Sequence, residues 1–143
     1  MPKSEVTQLI SAIMNIRRLV QERMRDTGHG NFFSMSQLEI LRYVAEKKNP
    51  LMKEVAEHLK IMPPSATVLI DGLAKSGKIR RIADEQDRRL VRLAITNKGR
   101  LCLKKGLQKM KSEMQKVFTK LTKKEINNLI TIYDKLAKIL QKK

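Results

Sequence analysis

Between residues 63 and 95 the hydrophobic pattern of this chain changes from the period of a helix to the alternation of a strand. After Pro63 and Pro64, which suit the first turn of a helix, apolar side chains recur at the spacing of one helix face: Ala66, Leu69, Ile70 and Leu73. From residue 90 to 95 (LVRLAI) the apolar side chains instead alternate, as they do in a half-buried strand. The segments 78–83 and 90–95 are short and β-branched and bracket the polar loop DEQDRR, so they predict a two-stranded hairpin.

The residues before this region predict three helices. Residues 4–25 have helical apolar spacing, and TGHGN (27–31) predicts the end of that helix. Ser36 and Glu39 have the spacing of a capping box, which predicts a second helix from about residue 36. Asn49 followed by Pro50 predicts the start of a short third helix.

The residues after the hairpin predict two long helices. Thr96 is expected to cap the first, and Thr122 with Glu125 has the capping-box pattern that opens the second. The whole chain, 1–143, therefore predicts a single-domain, mainly α fold with a small β-hairpin wing. Its plan is a winged helix-turn-helix over 35–95, flanked by N- and C-terminal dimerisation helices in 1–30 and 96–143.

Charge narrows the possible partners. Lys and Arg number 31 against 14 Asp and Glu, a formal net charge of +17, which is typical of a protein that binds DNA, RNA or an anionic membrane surface. The alternative is a solubilising surface. The single cysteine, Cys102, fits a reducing cytoplasm, and no stretch of 18 apolar residues predicts a membrane span. We therefore expect a cytoplasmic protein without a membrane partner.

The helix predicted over 63–76 carries a candidate recognition surface. A helical wheel puts Pro64, Val68, Asp71 and Lys75 opposite the apolar face, with Ser65 and Thr67 beside them. A DNA major groove admits one helix, where hydroxyl groups can bond to base edges and an apolar side chain can contact a thymine methyl. We expect Ser65, Thr67 and Val68 to read bases. An ordinary amphipathic surface helix remains the alternative.

The predicted hairpin concentrates arginine: Arg80, Arg81, Arg88, Arg89 and Arg92. Arginine is attracted to the strong negative potential of a narrow minor groove, so we expect Arg88 and Arg89 to enter it. Arg80, Arg81 and Lys75 are expected to contact or attract phosphates. Asp87 is expected to orient a neighbouring arginine through hydrogen bonds. The alternative is a solvated loop with chance charges.

The run from MSQLEIL through VAEHLKI, PPSATVLIDGLAKSGKIRR and DEQDRRLVRLAITNKG resembles the MarR family of bacterial transcriptional regulators. That family's wing commonly reads D-x-x-D-R-R, and its following strand ends L-T-x-x-G. The matching residues here are Asp84, Asp87, Arg88, Arg89 and Thr96 to Gly99, with Ile95 in place of Leu. The chain departs from the family at Met62, Val68 and Gly72, where Ser or Thr, Arg or Lys, and Arg are frequent.

The apolar stripes of the terminal helices exceed what a small winged helix can cover, which predicts a homodimer rather than a bundle closed on itself. The MarR resemblance implies the same dimer. It also implies a pocket for a phenolic or other small aromatic ligand between the dimerisation helices and the DNA-binding lobe. The ligand-pocket residues stay unknown.

No nucleophile and base pattern and no phosphate-binding glycine loop is present, so we expect no enzyme. No cofactor or metal is expected either, because His29, His58 and Cys102 lack metal-ligand spacing. Cys102 is expected to be a small core or interface residue. The leading hypothesis is a homodimeric repressor that binds a pseudo-palindromic DNA site and is released by a ligand. The alternatives are an architectural, sequence-independent DNA binder and, third, a membrane-surface protein.

Overall fold

The predicted order of elements is confirmed. The computed structural model describes residues 3–26 and 35–142. Its elements are α1 (Lys3–Asp26), α2 (Met35–Lys47), α3 (Met52–Leu59), α4 (Pro63–Lys75), β1 (Ile79–Ala83), β2 (Val91–Ile95), α5 (Asn97–Phe118) and α6 (Lys123–Gln141). The chain divides into two units, Met1–Gln108 and Lys109–Lys143.

The core of the first unit lies where α2, α3 and α4 meet the hairpin and the start of α5. Its buried side chains are mainly branched aliphatics: Ile40, Leu41, Val44, Val55, Ile70, Leu73, Ile79 and Leu93. The Cys102 thiol belongs to the same cluster. Complete burial of one such side chain contributes about 1.5–3 kcal/mol, and these residues fix α4 and the hairpin on one scaffold.

Helix α4 begins without a side-chain cap. The Met62 carbonyl accepts hydrogen bonds from the backbone N–H groups of Ser65 (3.0 Å) and Ala66 (3.1 Å), and Pro63 occupies the first turn, where a missing N–H costs nothing. At the other end the Lys78 N–H donates to the Leu73 carbonyl at 2.9 Å. The turn into β1 passes through Gly77, whose φ of 75° favours glycine.

The T-x-x-G sequence fastens α5 to that turn. The Thr96 hydroxyl donates to the Gly77 carbonyl at 2.6 Å and accepts from the Gly99 N–H at 3.0 Å, so it caps α5 as predicted. A Cβ at residue 99 would lie 2.1 Å from the Lys78 carbonyl oxygen. Glycine is therefore required at 99 by this close approach of two backbones.

The caps predicted for α2 and α3 are wrong. Helix α2 already includes Met35, so Ser36 lies inside it rather than capping it, and the Glu39 carboxylate binds Arg42 and His58 instead. Helix α3 is preceded by Leu51, because Asn49 is left-handed (φ 60°) and the Pro50 carbonyl accepts from the Leu93 N–H at 2.9 Å. The predicted helix end at 27–31 lies outside the described residues.

The terminal helices expose apolar side chains. Helix α1 exposes Leu9, Ile10, Ile13, Met14 and Ile16, and α6 exposes Ile130, Tyr133, Leu136, Ile139 and Leu140. Helix α6 begins with the predicted capping box: the Thr122 hydroxyl accepts from the Glu125 N–H, and the Glu125 carboxylate accepts from the Thr122 N–H, both at 3.1 Å. Within the ranges described, no helix is long and apolar enough to cross a membrane.

Candidate nucleic-acid interface

Helix α4 has one buried and one open face, as its periodicity predicts. Ala66, Ile70 and Leu73 are buried, whereas Val68 is 70% exposed. The neighbouring Ser65 and Thr67 are exposed as well. The Thr67 hydroxyl donates to the Pro63 carbonyl at 3.0 Å, so its oxygen stays available as an acceptor. This face therefore presents the apolar Val68 side chain between the hydroxyl groups of Ser65 and Thr67.

The sequence analysis missed two lysines near the start of α4. A cleft of about 570 Å³ lies between α3 and α4, and Lys53, Lys60 and Thr67 contribute to its lining. Lys60 is left-handed (φ 57°) and caps α3, with its N–H bonded to the Ala56 and Glu57 carbonyls. The ammonium groups of Lys53 and Lys60 attract a phosphate to this cleft, which Glu57 also lines.

The hairpin register separates Arg80 from Arg81. The strands are antiparallel, with Arg80 opposite Ala94 and Arg81 opposite Leu93. Because adjacent residues of a strand point to opposite faces, the two arginines have different surroundings. Both are exposed, but the Arg81 guanidinium forms an ion pair with the Asp71 carboxylate of α4.

The wing tip is organised by Asp84. Its carboxylate accepts hydrogen bonds from the backbone N–H groups of Gln86 (3.2 Å) and Asp87 (3.0 Å) and from Arg92 Nε (2.6 Å). The bond from Arg92, followed by that from the Asp87 N–H, lowers the pKa of Asp84. Asp84 therefore stays ionised and holds the turn closed. An Asp followed by polar residues two and three positions later was the available signal.

Arg92 joins the wing to the helices. Besides binding Asp84, it donates from its guanidinium to the Asn49 carbonyl at 2.9 Å. The Leu93 N–H bonds to the Pro50 carbonyl nearby, so strand β2 is tied to the loop before α3. Arg92 therefore binds partners within the chain, although the sequence indicates only that it belongs to a cluster of arginines.

Asp87 and Arg89 form a two-pronged pair at the tip. Arg89 Nε lies 3.0 Å from Asp87 Oδ1, and the terminal nitrogen lies 3.1 Å from Oδ2. This contact, with a backbone bond from Arg89, lowers the pKa of Asp87. The Arg89 side chain is still 90% exposed, and Arg88 is exposed beside it. The structure thus brings both arginines and Asp87 together at an open edge; the role of Asp87 in orienting them stays a prediction.

The two remaining candidates with ligand chemistry have structural surroundings. His58 Nε2 lies 2.8 Å from Glu39 Oε1, and its ring stacks on Tyr43 at a centroid distance of 4.3 Å, which joins α3 to α2. Burial raises the pKa of the Cys102 thiol. In the part of the chain that the structure describes, no group of three His, Cys, Asp or Glu side chains could hold a metal ion. His29 lies outside that part.

A helix-turn-helix followed by an arginine-rich hairpin defines the winged helix-turn-helix class. The model of the MarR family matches residues 33–91. The chain is 30% identical over 105 residues to the uncharacterized HTH-type transcriptional regulator YpoP of Bacillus subtilis, covering 73% of this chain and 74% of the relative. It is 25% identical over 118 residues to the HTH-type transcriptional repressor MdtR of the same organism, covering 82% and 76%.

A solved structure shares the fold. The transcriptional repressor CouR bound to a 23-mer DNA duplex has a TM-score of 0.81 at 20% identity, over 96% of this chain and 98% of that one. The chain belongs to the MarR family of transcriptional regulators.

Proposed function

We propose that this protein is a sequence-specific repressor of transcription that binds double-stranded DNA as a homodimer. The observation that carries the proposal is a single scaffold that holds two elements able to fit DNA grooves. These are the open face of α4 and the arginine tip of the wing, which Asp84 and Arg92 hold in place. MdtR and CouR are both named as repressors, which supports repression rather than activation by this protein.

Two grooves take different contacts in this proposal. Ser65, Thr67 and Val68 enter the major groove, and Arg88 and Arg89 enter the adjacent minor groove. Lys75 and Arg80 are exposed and lie against phosphates, where they fix the register of the protein on the duplex. Arg81 differs from these residues because Asp71 binds it.

A second copy of the chain covers the apolar faces of α1 and α6. Side chains such as Ile13, Ile130 and Tyr133 are more than half exposed within one chain, which a stable water-soluble surface rarely tolerates in rows. Two-fold pairing presents two copies of α4 to an inverted repeat. A small aromatic ligand that favours another spacing of these helices would release the DNA, a mechanism of population shift.

One observation favours the architectural alternative. Residues 35–95 contain 12 Lys and Arg against 8 Asp and Glu, whereas residues 96–143 contain 14 against 3. Much of the positive charge therefore lies outside the recognition elements, where it would attract any duplex without regard to sequence. Footprinting separates the two functions, because only the regulator protects a discrete site.

Alanine substitutions at the wing tip test the proposed contacts. We expect Arg88→Ala and Arg89→Ala each to weaken binding to a genomic fragment captured by the protein by roughly 5- to 30-fold, since one lost groove contact is worth about 1–2 kcal/mol. The assay is fluorescence anisotropy at 150 mM salt. Arg17→Ala on α1 removes the same charge elsewhere and serves as the control. Unchanged affinity in both wing variants, with normal thermal unfolding, would remove the wing from the interface.

A further inference from the structure

We propose that Asp71 holds Arg81 away from DNA phosphates and thereby limits the affinity of the interface for any duplex. The proposal rests on the DNA-binding function proposed above and concerns how the interface limits its sequence-independent affinity. Asp71 lies on α4 and Arg81 on β1, ten residues apart in the chain, and their ion pair spans the junction between recognition helix and wing.

The register of the hairpin explains why Arg81 can reach α4. Arg81 is opposite Leu93, which is fully buried against the helices, and it shares that face with the buried Ile79. The next residue towards the helix, Arg80, points to the other face and has no carboxylate partner among the described residues. Arg80 and Arg81 look equivalent in the sequence. In the structure Arg81 is paired with a carboxylate, whereas Arg80 is available to a phosphate.

Asp71 occupies a position where an unpaired carboxylate would oppose binding. It falls on the same side of α4 as Val68, in line with the face proposed to enter the major groove. A bare negative charge there would repel the phosphates on both sides of the groove. The Arg81 guanidinium neutralises it, and both side chains are only partly exposed, at 38% for Arg81 and 49% for Asp71.

Pairing has a consequence for sequence-independent affinity. If Arg81 left Asp71 for a phosphate, it would gain one phosphate contact and leave a carboxylate unpaired against DNA. With Arg81 retained by Asp71, the protein neutralises one phosphate fewer on every duplex, while the base contacts made by Ser65, Thr67 and Val68 are unaffected. Phosphate contacts supply most non-specific affinity, so the Asp71–Arg81 pair lowers the affinity of the protein for DNA of any sequence.

The test is the salt dependence of binding to a random-sequence duplex, measured for the full chain between 50 and 200 mM salt. Each neutralised phosphate adds about 0.9 to the slope of log affinity against log salt. We expect the double variant Asp71→Asn with Arg81→Ala to keep the wild-type slope, because it removes a neutral pair, and the single variant Arg80→Ala to lose about 0.9. We expect Asp71→Asn to gain about 0.9, so that its affinity falls roughly 3.5-fold more than wild type over this range.

The double variant Asp71→Asn with Arg81→Ala identifies the cause. Because the gain requires a released Arg81, the double variant should return to the wild-type slope. A gain from Asp71→Asn that persists without Arg81 would mean only that repulsion was removed, and would overturn the proposal. An equal loss of slope in the double variant and in Arg80→Ala would also overturn it, and this comparison stands even if the single variant Asp71→Asn fails to fold. Failure of the wild-type protein to bind any duplex would instead overturn the proposed function itself.

Discussion

Replacing Gly99 by alanine should destabilise the protein although alanine is the better helix former. The new Cβ would lie 2.1 Å from the Lys78 carbonyl oxygen and 2.8 Å from Ile95 Cγ1, and the first of these neighbours is backbone. Relief requires α5 to move away from the turn between α4 and β1. That movement lengthens the bond from the Thr96 hydroxyl to the Gly77 carbonyl, 2.6 Å, and the bond from the Thr96 N–H to the Lys78 carbonyl, 3.1 Å.

The expected cost follows from these contacts. Overpacking costs about 1–3 kcal/mol, and two weakened hydrogen bonds cost about 1 kcal/mol each. Alanine returns about 1 kcal/mol through its helix propensity. The net loss for Gly99→Ala is therefore about 2–4 kcal/mol in the free energy of unfolding.

Gly72→Ala is the matched control. Gly72 lies within α4, and a Cβ there would meet Gln37 Nε2 at 3.6 Å, an ordinary contact. This variant should gain about 0.5–1 kcal/mol, because glycine is a poor helix former. Urea unfolding followed by circular dichroism, at one fixed protein concentration, measures both changes. A Gly99→Ala protein as stable as wild type would refute the close approach of α5 to the turn.

Three further outcomes are expected. Asp84→Asn should weaken DNA binding several-fold through loss of the Arg92 bond. Because the pKa of Asp84 is lowered below its usual 3.8, its contribution to stability is present above that value and is lost as pH falls through the lowered pKa. The urea midpoint should therefore decline less between pH 6 and pH 3 in this variant than in wild type. Cys102, whose thiol pKa is raised by burial, should react slowly with a thiol reagent at pH 8 in the native protein and quickly in urea, and fast native labelling would contradict its place in the core. Sedimentation should give about 33 kDa, twice the 16.5 kDa protomer, and a wild-type monomer would refute the dimer. Ile130→Glu should shift the protein to the monomer, while Asn128→Glu, on the other side of α6 from Ile130, should not.

Much of the fold was predictable because its elements depend on local pattern. The apolar spacing of α4, the alternation in β2 and the capping box at Thr122 are all properties of a few neighbouring residues. The role of Ser36 was not predictable from the S-x-x-E spacing, because the Glu39 carboxylate binds Arg42 of the same helix and His58 of α3. A local sequence pattern fails to predict a cap where the side chain forms a stronger bond with another partner in the fold.

The candidate site divides in the same way. The exposure of Ser65, Thr67 and Val68 follows from the helical period of α4. The separate surroundings of the wing arginines do not follow from composition, since Arg92 bonds to a carbonyl 43 residues away and Arg81 to a carboxylate of another element. A charge cluster in a sequence indicates an attraction for polyanions, but only the fold determines which cations are free to act on it.

Nuclease footprinting on a genomic fragment captured by the wild-type protein tests the central claim most directly. We expect one protected inverted repeat, with half-sites separated by one helical turn of about 10–10.5 base pairs or a multiple of it, because a two-fold dimer presents two copies of α4. Alanine at Arg88 and Arg89 should abolish that protection at the same protein concentration. Uniform protection along the fragment, unchanged in the wing variants, would contradict sequence-specific recognition by α4 and the wing.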